Sequence, residues 1–443
     1  MTSPSSPRGL RRTVAAVAMF SLVLAACGGG GAGDGDKSAG GGGGGAAKKT
    51  LNISGPETGS EADGFTESFA PFTDKTGIKI NYSGSRDFET QIRVALEGGD
   101  LPDIAVLPQP GLLRDLAEKI TPVPQSVLDA HRDQFDEYLW KLATVKGKVL
   151  GVPNKGDVKS LVWYSPKVFK KNGYTVPETW DALIALQNKM KADGITPWCI
   201  GIESGEATGW PLTDWMEDLM LRVNGPAVYD QWVAHEIPFN DPKVKKVAQM
   251  VQDIWFTNGN VLNGRQSIAS TGFAQAGLPV TEGKCGMHRQ ANFYGAQFKD
   301  QNANVKFGAD GDVNIFYLPT VSDDFGKVTL SGGTYVVAFN DNKATLDAIE
   351  FLASPEYANA RVKAGKGGFL SPNKKHDTSL YADELDRSLA NILITADPLR
   401  FDGSDLMPSS VGAGSFWKEG TNWVLGSSDL NTFLDNVEAS WPK

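Results

Sequence analysis

The sequence predicts an α/β protein, and three observations carry that prediction. Short apolar strands alternate with amphipathic helices from Lys48 onward, the pattern repeats after Lys159, and the length suffices for two domains. Repeated strand–helix–strand units favour a mainly parallel sheet covered on both faces, whose ligands bind beyond the carboxyl ends of the strands.

Lys48 to Ile53 reads as the first strand. Glu61 to Thr76 follows as one amphipathic helix, with Phe65, Phe69 and Phe72 at helical spacing and Gly77 closing it. Ile78 to Tyr82 alternates as a second strand, Asp87 to Glu97 is helical, and Asp103 to Leu107 is a buried third strand. The loops Ser54 to Ser60, Ser83 to Arg86 and Pro108 to Gly111 should therefore share one rim. In the second set, Lys159 to Tyr164 and Thr196 to Ile202 read as strands. Thr179 to Asp193 reads as a helix capped by Thr179, and Trp210 to Val223 as a helix with Pro211 in its first turn. Tyr335 to Phe339 is again a strand and Leu346 to Leu352 a helix; periodicity does not say which sheet they join.

Ahead of this body lie three arginines (Arg8, Arg11, Arg12), an apolar run from Thr13 to Leu24, and Leu24-Ala25-Ala26-Cys27. A basic start, about a dozen apolar residues and small residues before a cut mark a secretory signal too short to span a bilayer. The cysteine at the cut resembles the lipobox of bacterial lipoproteins, which implies lipidation of Cys27; an ordinary cleaved signal is the alternative. Gly28 to Ala47 is almost wholly Gly, Ala, Asp and Ser, a composition that buries too little to fold. As a flexible coil it spans on the order of 25 Å.

Removal of residues 1–26 leaves 417 of the 443 and takes away three positive charges and no negative ones, shifting the net charge from −9 to about −12. An acidic body without a basic stripe argues against nucleic acid. Beyond the signal, no apolar run approaches twenty residues. In an oxidising compartment the two remaining cysteines, Cys199 and Cys285, are expected to pair, with two buried free thiols as the alternative. Four scattered histidines and no cysteine cluster give a metal site little support, and no hydrolase elbow, Walker loop or zinc-protease helix occurs. No cofactor is expected.

The stretch Phe72 to Leu113 (FTDKTGIKINYSGSRDFETQIRVALEGGDLPDIAVLPQPGLL) resembles the N-terminal lobe of sugar-binding proteins of ABC importers. LVWYSPKVFKKNGYTVPETWDAL (Leu161 to Leu183), TEGKCGM (Thr281 to Met287), GGFLSPNK and DLMPSSVGAGSFW follow in the family's order. Thr196 to Trp215 and Arg400 to Pro408 are similar to the alpha-glucoside-binding branch. The resemblance implies a periplasmic-binding type II fold: two α/β lobes joined by three crossings, with sugar held between them. The crossings should fall near Gly156 to Leu161, Leu330 to Tyr335 and Thr395 to Arg400. Lobe one is then 48–158 with 332–397, and lobe two 159–331 with 398–443. It further implies a monomer that hands its sugar, unaltered, to permease subunits. The sugar would be an alpha-glucoside such as maltose, sucrose, trehalose or a glucosylglycerol-like solute. A secreted glycoside hydrolase or a surface lectin are the rival readings; the hydrolase needs two carboxyls about 5 to 9.5 Å apart.

A sugar presents hydroxyls at its edge and C–H groups on its faces, so carboxylates, amides and guanidinium forks suit the edge and indoles the face. From lobe one, the candidates are Glu57 and Thr58 after the first strand, Arg86 and Asp87 after the second, and Gln109 after the third. Asp87 is either a ligand contact or an N-cap. Lys159 on the first crossing meets either a hydroxyl or an acid. From lobe two come Glu203, Glu206, Trp210, Asp214, Arg289 and Asn292, with Asp402 and Trp417 near the C-terminus. By the resemblance, Trp210 and Trp417 stack on sugar, whereas Trp215 belongs to the core. Where the family keeps a tryptophan near residue 292, this chain has Asn292 and Phe293, which points to a shorter or differently seated sugar than a long maltodextrin.

Overall fold

The fold is described from a computed structural model for residues 49–442. The expected signal, Cys27 and the glycine-rich linker lie outside the described residues.

Three strands open the body: β1 (Thr50–Gly55), β2 (Lys79–Gly84) and β3 (Ile104–Leu107). A two-residue hairpin, β4 (Thr144–Val145) with β5 (Lys148–Val149), precedes β6 (Val152–Val158). Then come β7 (Leu161–Tyr164), β8 (Thr196–Trp198), β9 (Cys285–Arg289), β10 (Asn314–Tyr317), β11 (Thr329–Ala338) and β12 (Leu399–Phe401). One sheet runs β12-β11-β3-β1-β2, with β6 on the other side of β11; a second runs β10-β7-β9-β8.

Strand periodicity places the cores. Ile104, Val106 and Val336 face one apolar cluster while Ala105, Leu107, Tyr335 and Val337 face another, so alternate side chains cover both faces of the first sheet. In the second sheet Val162 and Tyr164 join the largest core and Trp163 a smaller one. The phenylalanines at helical spacing are buried as expected, in an edge-to-face chain from Phe65 through Phe69 to Phe72.

Five expectations change. The helix expected over 61–76 is two, Ser60–Glu67 and Ala70–Thr76, because Pro71 has no N–H to donate and starts a new first turn. The strand expected to Ile202 ends at Trp198, and the one expected from Tyr335 begins six residues earlier, at Thr329. The helix from Trp210 continues past Val223 to Val233 across a break at Gly225, where φ is +77° and Pro226 follows. The sheets are mixed rather than mainly parallel: β11 runs antiparallel to β3 and β6, and β7 antiparallel to β9 and β10.

The three segments expected as crossings lie side by side. Ser331 pairs with Val158, Gly333 with Gly156, and Leu330 with Arg400. All ten residues of β11 are buried, so the seam between the two sheets is itself a packed strand.

Candidate functional site

The carboxyl ends of β1, β2 and β3 converge on one rim. Their loops carry Glu57, Arg86 and Gln109 to a single half-open cavity of about 180 Å³. Gly84 permits that convergence, since a methyl group there would overlap the Glu57 carbonyl oxygen. The floor is β6 and the turn after it, which supply Lys155, Asp157 and Lys159. The opposite wall comes from the second half of the body: Trp210 at a helix start, Phe273, Phe293, Asp402 after β12, and Trp417. Gly209, at φ +118°, seats Trp210 beside Trp417, because a Cβ there would lie 2.6 Å from the Trp417 carbonyl oxygen.

The cavity's charges are held in two buried groups. On the first side, Glu61 receives Lys155 Nζ at 3.1 Å and Arg86 Nη2 at 2.9 Å. Burial opposes ionisation of Glu61, and the two cations outweigh it, holding its carboxyl below the usual range. On the second side, Lys159 Nζ meets Asp214 at 2.9 Å and also Asp402. Arg289 bridges Asp214 at 3.2 Å and Asp218 at 2.9 Å. Burial pushes Asp214 up to about 6 despite Lys159 and Arg289. Asp402 is buried too, but Lys159 and its hydrogen bonds hold it well below the usual carboxylate range. Glu217 is driven far up by burial and by the charges of Asp402 and Asp214.

Asp214, Glu217 and Asp402 bring three carboxylates together, the grouping that would suit a cation. The protein's own groups already answer them. Lys159 occupies the approach to two, and Glu217 accepts the backbone N–H groups of Gly403 at 2.8 Å and Ser404 at 3.0 Å. The cluster is an internal ion pair that anchors the loop carrying Asp402.

Three buried polar atoms around the cavity have no hydrogen-bond partner in the protein: Glu57 Oε1, Gln109 Oε1 and Trp417 Nε1. A fourth, Asp157 Oδ1, has only Lys155 at 3.6 Å. Tyr82 holds Glu57 by its other oxygen at 2.8 Å, and Glu89 holds the Gln109 amide nitrogen at 3.0 Å. Each orphaned acceptor is thus locked in place from behind. Buried polar atoms are expensive to leave unpaired, and a ligand that donates several hydrogen bonds and accepts at least one would satisfy this set. The aromatic wall is already braced: Trp210 packs edge-on to Phe273 at 5.2 Å, and Lys159 sits 5.8 Å over its ring.

Seven residues singled out from the sequence line this cavity: Glu57, Arg86, Gln109, Lys159, Trp210, Asp402 and Trp417. Four more lie at its mouth. Thr58 and Glu203 border an outer vestibule, Asp87 and Glu206 a shallow groove, and Glu206 bonds across the mouth to Thr90. Asp87 stands at the N-cap position, yet its side chain makes no capping bond. Three expected contacts do not line the cavity. Asp214 and Arg289 are spent on each other and on Lys159 and Asp218. Asn292 is spent on backbone, accepting from Val158 N at 2.7 Å and donating to Gly368 O at 2.9 Å. These three brace the site from behind. Trp215 lies in the core, 5.1 Å from Trp198. Cys199 and Cys285 are joined, with Cα atoms 5.7 Å apart.

Phe293, noted beside Asn292, lines the cavity, and sequence reasoning missed Glu61, Glu89, Lys155, Asp157 and Phe273, which also line it. Lys155 and Asp157 alternate with Gly156 inside a strand otherwise apolar at its ends, and buried charges in such a strand are a signal the pattern offered. Glu61 and Glu89 read as ordinary first-turn acids, and nothing local distinguishes them.

The profile of the bacterial extracellular solute-binding proteins matches residues 58–359. The osmoprotective compounds-binding protein GgtB of Synechocystis sp. is 39% identical over 401 residues, covering 89% of this chain and 93% of GgtB. The alpha-glucosides-binding periplasmic protein AglE of Rhizobium meliloti is 38% identical over 408 residues, covering 89% and 87%. Among solved structures, a chitin oligosaccharide binding protein superposes with a TM-score of 0.75 at 17% identity, covering 88% of this chain and 98% of its own. At that identity the likeness speaks for the fold alone.

Proposed function

Because this chain belongs to the bacterial extracellular solute-binding proteins, we propose that its cavity captures a short alpha-glucoside or a closely related glycosylated solute for an ABC importer. The chain is a sugar-binding receptor of the type II periplasmic-binding fold and not an enzyme. One observation carries the finer reading. Two indole-bearing residues and several fixed, orphaned acceptors line one half-open space, which suits a polyhydroxylated ring. The likeness to AglE, an alpha-glucosides-binding protein, supports the same class.

In this reading the lobes are 48–158 with 332–397 and 159–331 with 398–443, and closure is a hinge motion of the three adjacent strands. Glu57 and Gln109 of the first lobe accept sugar hydroxyls. Trp210 and Trp417 of the second cover a ring face, with the Trp417 indole N–H donating to a ring or hydroxyl oxygen. Lys159 and Asp402 complete the edge. Discrimination then comes from groups that a wrong epimer would leave unpaired. The mature chain acts as a monomer, tethered outside the cytoplasmic membrane through lipid on Cys27.

A thermal-shift screen of residues 48–443 against sucrose, trehalose, maltose, glucosylglycerol and inositol tests the proposal. Ligand binding raises the melting temperature by mass action, and an alpha-glucoside should give the largest shift. A flat response to every saccharide defeats it.

A further inference from the structure

Arg86 lines three spaces at once: the inner cavity of about 180 Å³, the outer vestibule of about 310 Å³ and the shallow groove of about 150 Å³. Its guanidinium bonds Glu61 at 2.9 Å and lies 5.5 Å from the Phe273 ring centroid. Salt bridge and cation–π contact together hold it across the passage from cavity to vestibule. Other contacts lie around the neighbouring spaces. Ser60 Oγ meets Asp300 at 3.1 Å on one flank, Thr90 meets Glu206 at the mouth, and Arg93 meets Ser409 at 2.8 Å on the far flank. A bound molecule longer than the inner cavity that extends toward the vestibule has to pass Arg86.

Beyond it the vestibule is built for the same chemistry. Phe273 supplies an apolar surface, and Thr58, Gln275, Gln297 and Asp300 supply hydroxyl, amide and carboxylate groups. With its side chain 38% exposed and only one ion pair holding it, Arg86 is the movable part of the partition; Glu61 behind it is also tied to Lys155.

We propose that Arg86 is a chain-length gate, and that the vestibule beside Phe273 is a second saccharide subsite which the gate closes to ordinary ligands. This rests on the saccharide reading above. The natural ligand then fits within the inner cavity: one stacked pyranose with a small polyol or a second sugar unit. A third unit must displace Arg86 from Glu61 and Phe273, leaving Glu61 with Lys155 alone.

The test is titration calorimetry of the full-length chain and its Arg86→Ala variant against two length pairs, maltose with maltotriose and sucrose with raffinose. Whichever pair binds, the wild type should prefer the shorter member by about tenfold or more, roughly 1.4 kcal/mol. In Arg86→Ala the preference should fall to about threefold or less, whatever happens to the absolute affinity. Arg86→Lys keeps the charge for Glu61 but not the flat contact with Phe273, and should fall between the two. A length preference that is the same in wild type and Arg86→Ala overturns the gate while leaving the saccharide reading intact. Equal binding of short and long sugars by the wild type does the same. Binding of no saccharide overturns both.

Discussion

Lys159 is the residue whose loss should be felt most. Its ammonium lies between two carboxylates, those of Asp214 and Asp402, whose side chains are 1% and 3% exposed. Replacing it by Met keeps the length of the stem and strands both acids. Removing one partner of a buried ion pair costs about 3–5 kcal/mol, because the remaining charge stays desolvated. The stranded groups are not wholly bare. Asp214 keeps Arg289 at 3.2 Å, while Asp402 keeps the Ser404 hydroxyl at 2.8 Å and the Asp405 N–H at 3.0 Å. The expected loss for Lys159→Met at pH 7.5 is therefore near the lower end, about 3 kcal/mol.

The pH dependence follows from the signs. Asp402 is held low in the folded state, so its contribution is complete above the unfolded value of about 3.9 and is lost only as pH falls through the folded one. Lys159 is held high, so its contribution is complete below about 10.4 and is lost as pH rises through the folded value. Between pH 5 and 8 the Lys159–Asp402 half of the bridge is thus constant, whereas Asp214, raised to about 6 by burial, takes up a proton within that range in the wild type as well. In the variant an unpaired carboxyl takes up a proton as pH falls, so the deficit shrinks by up to about 1.4 kcal/mol per pH unit. Urea unfolding followed by tryptophan fluorescence at pH 7.5 and 5.5 reads both effects. The double variant Lys159→Met with Asp402→Asn should recover part of the loss, since it removes one of the stranded charges. A deficit below about 1 kcal/mol at pH 7.5, or one independent of pH, would refute the picture of a buried bridge.

Three further outcomes are expected. Trp417→Phe keeps an aromatic face but loses the orphaned indole donor, so sugar affinity measured by calorimetry should fall by about 2- to 12-fold, the value of one hydrogen bond, while Trp417→Ala or Trp210→Ala should lose more. Non-reducing peptide mapping should find Cys199 joined to Cys285, and replacing both by serine should cost about 4 kcal/mol of stability for a separation of 86 residues. Burial raises Glu89 to about 7, so the folded chain binds a proton there that the unfolded chain releases from about pH 4.5 upward. Stability should accordingly fall as pH rises from 4.5 to 7, by roughly 3 kcal/mol from this group, and Glu89→Gln should flatten that slope in urea titrations.

What could be read in advance, and what could not, divides along a physical line. Local periodicity marks a strand or helix when one face is apolar, which is why Phe65, Phe69 and Phe72, or Ile104 and Val106, announced themselves. The rim loops were legible because strands of an α/β sheet end together, and they delivered Glu57, Arg86 and Gln109 to one cavity. Strand direction is not a local property, and nothing in β11 says that it meets β3 and β6 antiparallel. The roles of charged residues are less local still. Asp214 and Asp402 are both carboxylates beside aromatic segments, yet Asp402 reaches the cavity while Asp214 stands behind Lys159. Asn292 is the hydrogen-bonding amide its residue type promises, but Val158 and Gly368 take both ends. A side chain's chemistry is written in the sequence; whether that chemistry remains available to a ligand depends on which neighbours the fold has already given it. The residues that matter most here are those whose bonding the fold leaves deliberately half finished, with Tyr82 behind Glu57 and Glu89 behind Gln109.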